Sequence, residues 1–102
     1  MPTITTRTET QSFTATGVGP ELGIRGRGAA FVEGTFVGTV VLECRPPGAV
    51  DFVPVLADNY GTPMQLSAPG TFAIEDWRDD VRYRWRCSAF TSGTILTGVQ
   101  QA

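Results

Sequence analysis

Histidine does not occur among the 102 residues of the chain. Because histidine is the commonest general base near neutral pH and the commonest metal ligand, its absence excludes Ser-His and Cys-His catalytic pairs and His-metal sites within the chain. No other pairing of nucleophile and base is evident in the sequence. We therefore expect no enzymatic activity, no resident metal and no cofactor.

Lysine is absent as well: the 8 basic residues are all arginines, and 10 acidic residues give a net charge of -2. No arginine cluster forms the basic face that sequence-independent phosphate binding requires, so we expect no nucleic-acid partner. The chain also lacks an apolar run of the ~18 residues that a membrane span needs, and its first residues lack the apolar stretch of a secretion signal. These absences predict no membrane partner and synthesis in the cytoplasm.

The rest of the sequence consists of short β-prone runs separated by glycine and proline, a spacing that predicts strands rather than helices. The clearest run is residues 81–89, in which apolar and polar side chains alternate as in a half-buried strand. Its apolar set is Val81, Tyr83, Trp85 and Cys87, and its polar set is Arg82, Arg84, Arg86 and Ser88. We predict an all-β fold: one antiparallel two-sheet β-sandwich, immunoglobulin-like or jelly-roll-like, with seven to eight strands over residues 11–102.

Two cysteines are predicted to lie on the inward faces of their strands. Residues 29–33 and 39–45 are expected to form a hairpin that contains Cys44, and Cys87 lies in the alternating run. A disulfide across the core is geometrically conceivable, but a cytoplasmic protein favours two reduced, buried thiols. Burial raises the pKa of a thiol, so neither is expected to act as a nucleophile.

Residues 1–10 are mostly threonine and carry no amphipathic pattern, so they cannot bury a face of their own. We predict an extended N-terminal arm that is either disordered or ordered by a partner, since threonine suits a strand added to the edge of a sheet. Six arm residues are candidate partner-binding residues: Thr3, Ile4, Thr5, Thr6, Arg7 and Thr8.

The densest polar cluster is residues 75–80, in which four carboxylates surround Trp77. Two carboxylates could serve as acid and base in glycoside hydrolysis, or several could bind Ca²⁺, although the glycine-containing spacing of an EF-hand is missing. We favour a solvated connection in which an aspartate caps the turn and Trp77 covers one end of the core.

Trp77, its neighbour Arg78 and the loop residue Tyr60 complete the set of candidate partner-binding residues. Aromatic rings beside loops can stack on sugars or anchor protein contacts. For both rings we favour core closure as the role.

Four stretches resemble a family of small virion proteins of tailed bacteriophages. They are GTFVGTVVLECRPPG at residues 34–48, DFVPV at 51–55, SAPGTFAIEDW at 67–77 and VRYRWRCSAFTSGTI at 81–95. The resemblance covers roughly residues 12–99 and implies a β-sandwich that decorates virus heads or forms part of fibres. The chain departs from the family at Pro46, Pro47 and Gly48, where a Gly- and Asp-rich turn is common, so contacts made by that turn are not transferred.

The resemblance implies a virion structural protein. Our main hypothesis is a capsid decoration or cement protein, a homotrimer on the capsid surface that binds the major capsid protein and uses its arm to add a strand to a capsid subunit. One alternative is a carbohydrate-binding or adhesive module of a head or tail fibre, with Trp77 and Tyr60 stacking on sugars. Another is a tail or connector component.

Overall fold

Strands form the regular structure of the chain in the computed structural model, which describes residues 7–102. Within this range the strands are β1 (Arg7–Phe13), β2 (Gly17–Val18), β3 (Leu22–Gly23), β4 (Gly26–Glu33), β5 (Phe36–Arg45), β6 (Val53–Pro54), β7 (Gln65–Leu66), β8 (Gly70–Asp76), β9 (Arg82–Gly93) and β10 (Ile95–Gln101). The described residues include no helix of the length and apolarity needed to cross a bilayer.

The strands form two antiparallel sheets that pack together around one core, which confirms the predicted β-sandwich. The four-stranded sheet has the order β1-β10-β4-β8. The six-stranded sheet has the order β2-β9-β5-β6, with β3 also pairing with β9 and β7 with β5. The structure has ten strands within the described residues instead of the seven to eight predicted. One that was missed is β2, whose 2 residues are too few for alternation to be recognised.

Strand β9 supplies much of the core, as its alternation predicts. Tyr83, Trp85 and Cys87 are 6%, 2% and 2% exposed, whereas the arginines between them are partly exposed. Trp85 also joins the two sheets, because its indole N–H donates to the carbonyl oxygen of Gly98 at 3.0 Å. The ring of Phe72 in β8 meets the Trp85 ring edge to face. Replacing a tryptophan in such a position by alanine typically costs about 3–5 kcal/mol.

The chain passes from one sheet to the other at two corners, and these corners contact each other. Gly34 follows β4 and Gly93 ends β9, with φ values of 105° and 89° that favour glycine. A Cβ atom on Gly34 would collide with the carbonyl oxygen of Thr94, and one on Gly93 with that of Thr35. The Thr94 amide donates to the Thr35 carbonyl at 3.2 Å. Glycine is therefore required at both corners.

The hairpin predicted for residues 29–33 and 39–45 is wrong, because the chain turns at Gly34 into the other sheet. In the six-stranded sheet β5 pairs with β9, whereas β4 remains in the four-stranded sheet and pairs with β8 and β10. Both thiols are free and buried, as favoured from the sequence. Cys44 lies opposite Tyr83, four positions along β9 from Cys87. That offset corresponds to about 13 Å, which is too far for a disulfide.

The predicted N-terminal arm, residues 1–10, is too long at its C-terminal end, because the folded domain already begins at residue 7. Residues 7–10 belong to β1, which pairs along its whole length with β10 of the same chain, from Arg7 opposite Gln101 to Phe13 opposite Ile95. They are ordered by their own domain rather than by a partner, although their side chains are exposed. Thr3, Ile4, Thr5 and Thr6 lie outside the described residues.

Candidate partner-binding surface

A connection between β5 and β7, residues 46–64, exposes an unusual share of apolar side chains. Four of the seven large hydrophobic side chains that are exposed among the described residues lie here: Val50 (90%), Val53 (46%), Leu56 (54%) and Tyr60 (93%). We call residues 46–64 the apolar loop. Exposed apolar side chains that lie close together at a surface are a feature of interaction sites.

The apolar loop has a defined backbone. The amide of Val55 donates to the carbonyl of Leu42 in β5 at 2.9 Å, and the amide of Met64 donates to the carbonyl of Val55 at 2.6 Å. Leu56 and Pro63 form an isolated β-bridge. The loop therefore exposes its side chains from a backbone that is already fixed, which lowers the entropy that a partner must remove on binding.

Tyr60 lies in a tight turn within the apolar loop. The carboxylate of Asp58 accepts hydrogen bonds from the backbone amides of Tyr60 at 2.8 Å and Thr62 at 3.2 Å. Hydrogen bonds from Thr62 and Tyr60 lower the pKa of Asp58, so the carboxylate stays charged to lower pH than an ordinary aspartate does. The expectation that Tyr60 closes the core is wrong, because this turn directs the ring into solvent, where it is 93% exposed.

Residues 75–80 comprise the last two residues of β8 and most of the connection to β9, and Asp76 is their buried member. Its carboxylate is 6% exposed and accepts hydrogen bonds from the Tyr83 hydroxyl at 2.7 Å and from the Arg78 side chain at 3.0 and 2.8 Å. It also accepts one from the Arg78 amide at 3.1 Å, so an aspartate caps this turn as expected. The bonds from Arg78, with a further contribution from Tyr83, lower the pKa of Asp76 to about 2. Arg78 is therefore engaged within its own chain.

Trp77 does not cover the core as expected, because 64% of its surface is exposed. Its indole N–H donates to a carboxylate oxygen of Glu75 at 2.9 Å. Its ring lies against Gly26, where a Cβ atom would come within 3.2 Å of the ring carbons. These two contacts fix an exposed aromatic surface. Among residues 7–102, Tyr60 makes no hydrogen bond or ring contact with Trp77 or Arg78, so the structure does not join the candidates into one cluster.

The outward face of the six-stranded sheet is occupied by an ion-pair network. Glu43 is 5% exposed and accepts hydrogen bonds from Arg84 and Arg86, each at 3.0 Å. The Arg84 guanidinium also lies 3.9 Å from the centre of the Phe52 ring. Sequence reasoning placed the arginines on this face but missed the network, because the register that sets Glu43 opposite Arg84 is a long-range property.

Arg7 and Thr8 lie on β1, at one edge of the four-stranded sheet. The Arg7 side chain donates to the carbonyl of Gly23 at 3.1 Å, and with Arg25 and Arg82 it lines a pocket of about 280 Å³. Arg25 pairs with Asp79 at 3.1 Å and Arg82 with Glu21 at 3.1 Å. The pocket's arginines are therefore already engaged within the chain.

No group of three or more metal-binding side chains occurs in the described part of the chain. Its chemistry is that of exposed aromatic and aliphatic side chains on fixed connections. Val50, Val53 and Leu56 were not predicted as site residues from the sequence. The usable signal was that Val50 and Leu56 each lie two residues from a turn-forming segment, Pro46–Gly48 or Asp58–Gly61. Comparison of the chain with protein-family models, with curated proteins and with solved structures found no match.

Proposed function

We propose that this protein is a non-catalytic virion structural protein that decorates a bacteriophage capsid and binds the major capsid protein through the apolar loop. The observation that carries the proposal is Tyr60, which is 93% exposed and yet held in an ordered turn by Asp58. Tyrosine on a preorganised loop is a favourable anchor, because it brings a large contact area at little cost in conformational entropy. The resemblance to small phage virion proteins supports the choice of partner.

The apolar loop offers enough surface for a measurable contribution to binding. Fully burying an exposed valine or leucine side chain contributes about 1.5–3 kcal/mol. Val50 is almost fully exposed, whereas Val53 and Leu56 are about half exposed and can contribute about half as much each. Association and side-chain ordering offset a large part of that gain. We therefore expect a few anchors, with Tyr60 first, to dominate the affinity.

Decoration would stabilise the shell by mass action. If the loop fits a surface that the capsid lattice presents only after expansion, binding favours the expanded state by the difference in affinity for the two states. This mechanism needs no chemical reaction at the site. It does need many identical copies on the shell, for which a homotrimer is a suitable unit.

The test uses virus heads purified without the protein and then incubated with variants of it. Tyr60→Ser and Val50→Ser are expected to reduce occupancy on the heads, measured by quantitative mass spectrometry, while the thermal unfolding of the free protein is unchanged. Val37→Ser is the matched control for Val50→Ser, because Val37 is also an exposed valine, at 58%, but lies outside the apolar loop. Full occupancy by both loop variants, or an equal loss with Val37→Ser, would contradict the proposal.

Trp77 favours a second candidate function, a carbohydrate-binding module of a head or tail fibre. Its indole is fixed by Glu75 and Gly26 with most of its surface exposed, which is how aromatic rings that stack on sugars are presented. A glycan array compares wild type with Trp77→Ala. Binding that is lost in the variant supports this candidate, and an array without signal supports decoration.

A further inference from the structure

Strand β8 has an unpaired edge that is unusual in its lack of protection. It pairs with β4 along one edge, and along the other its backbone makes no hydrogen bond to any described residue. Proteins commonly protect such edges with lysine, proline, bulges or very short strands. Residues Gly70–Ile74 of β8 contain no charged residue and no proline, and β8 is 7 residues long. An edge of this kind is a template for an added strand.

An apolar groove lies directly beside this edge. It has a volume of about 220 Å³ and lies between β8 and two residues of the apolar loop, Val55 and Met64. Its lining is mainly apolar, with one carboxylate: Leu42, Val55, Met64, Phe72, Ala73, Ile74, Tyr83 and Glu75. We call it the edge groove. It is smaller than the roughly 300–1,000 Å³ of typical small-molecule sites, so it suits a single side chain of an added strand.

The N-terminal arm has the sequence of such a strand. Ile4 is the only branched aliphatic residue between Pro2 and Thr10, and threonines flank it at positions 3, 5 and 6. Threonine and isoleucine both have high β-propensity, and alternate residues of a strand point to one face. A strand of residues 3–6 can therefore place Ile4 toward the groove and Thr5 away from it.

The arm cannot reach the edge groove of its own chain. Arg7 is in β1, at the opposite edge of the four-stranded sheet from β8. The strand register places Arg7 in the same row as Ile74, with Gln101 and Gly28 between them. Three strand spacings separate β1 from β8, which is about 14 Å even in a straight line through the sheet. The route around the end of the sheet is longer, whereas three residues of chain span at most about 11 Å. An Ile4 side chain that fills the groove must therefore come from another copy.

We propose that residues 3–6 of a second copy pair with the free edge of β8 and insert Ile4 into the edge groove. The contact joins two different surfaces, and in a trimer each copy would give its arm to one neighbour and receive an arm from the other. Contacts of this kind close into rings when the rotation between copies allows it. The inference rests on the proposed function in one respect: the arm contact would hold together the homotrimer predicted for a decoration protein. The arm then binds a neighbouring copy instead of a capsid subunit.

Disulfide trapping in the isolated full-length protein tests the contact. Ile4→Cys protein is mixed with Met64→Cys protein under mild oxidation, and a mixed disulfide between residues 4 and 64 of different copies is expected. Ile4→Cys mixed with Val37→Cys is the control for random collision, and its yield should be several-fold lower. Equal yields would overturn the proposal, as would an intramolecular disulfide in the diluted double variant.

A second measurement avoids any change to the described residues. Sedimentation equilibrium should show weaker self-association for Ile4→Asp and unchanged association for Thr5→Asp, because the same charge then points away from the groove. Equal effects of the two variants would overturn the proposal. Neither experiment involves heads, so loss of arm exchange is distinguishable from loss of capsid binding by the loop variants.

Discussion

Replacing Asp76 with asparagine is expected to destabilise the protein near neutral pH, by an amount that decreases as the pH falls toward about 2. The Asp76 carboxylate is buried, and Arg78 and Tyr83 both donate to it. Mainly because of the bonds from Arg78, its pKa falls from 3.8 to about 2. A difference of that size corresponds to roughly 2 kcal/mol of folding free energy. Because Arg78 is half exposed and water screens the pair, we expect about 1–2 kcal/mol.

The sign of the pH dependence follows from the direction of the shift. Folding lowers the pKa of Asp76, so its stabilisation is complete above the unfolded-state value of about 4 and is lost as the pH falls toward about 2. Asp76→Asn should therefore unfold at lower urea concentration than wild type at about pH 7, and the gap should narrow near pH 2.

Urea titrations followed by tryptophan fluorescence at several pH values measure both effects. Asp79→Asn is the matched control, because the Asp79 side chain is 82% exposed and its pair with Arg25 should contribute little. The reasoning is refuted if Asp76→Asn matches wild type at neutral pH, or if its deficit persists unchanged in acid.

Three further predictions concern the corners, the thiols and the outward ion pairs. Gly93→Ala should destabilise the protein by several kcal/mol, and clearly more than Gly48→Ala, because both glycines have positive φ but only Gly93 packs against another backbone; thermal unfolding of the two variants compares them. Burial raises the pKa of both Cys44 and Cys87, so both thiols should react slowly with a thiol reagent in the native protein and fully in urea, and rapid native labelling would contradict their burial. Glu43→Gln should cost about 1–3 kcal/mol in urea unfolding, since it leaves two arginines without their carboxylate; a neutral effect would show that water alone satisfies them.

Alternation along the sequence was sufficient to predict the class of fold and the orientation of β9. A strand period of two assigns each residue to one of two faces, and this correctly placed Tyr83, Trp85 and Cys87 in the core. Alternation carries no information about which sheet a strand joins. The turn at Gly34 into the opposite sheet depends on its packing against Thr94, which is distant in sequence, so the expected hairpin was wrong.

The sequence-based expectation that the rings of Tyr60 and Trp77 close the core was wrong, because both are exposed. Large aromatic residues are usually buried, which favoured core closure for Tyr60 and Trp77. Local hydrogen bonds overrode that tendency: Asp58 fixes the turn that exposes Tyr60, and Glu75 holds the Trp77 indole at the surface. Such short-range polar contacts are foreseeable from an aspartate two residues before Tyr60 and a glutamate two residues before Trp77.

The arrangement of charge in the six-stranded sheet explains why a partner should bind at edges and connections. The inward face is filled by side chains such as Trp85, and on the outward face Glu43, Arg84 and Arg86 satisfy one another. A partner docking on that outward face would have to desolvate or break these ion pairs, which is costly. The apolar loop and the edge groove carry less of this cost, because the loop exposes Val50, Leu56 and Tyr60 and the groove is lined mainly by apolar side chains. Binding at these two places therefore gains free energy from both apolar burial and strand pairing, and it leaves the core and the ion-pair network intact.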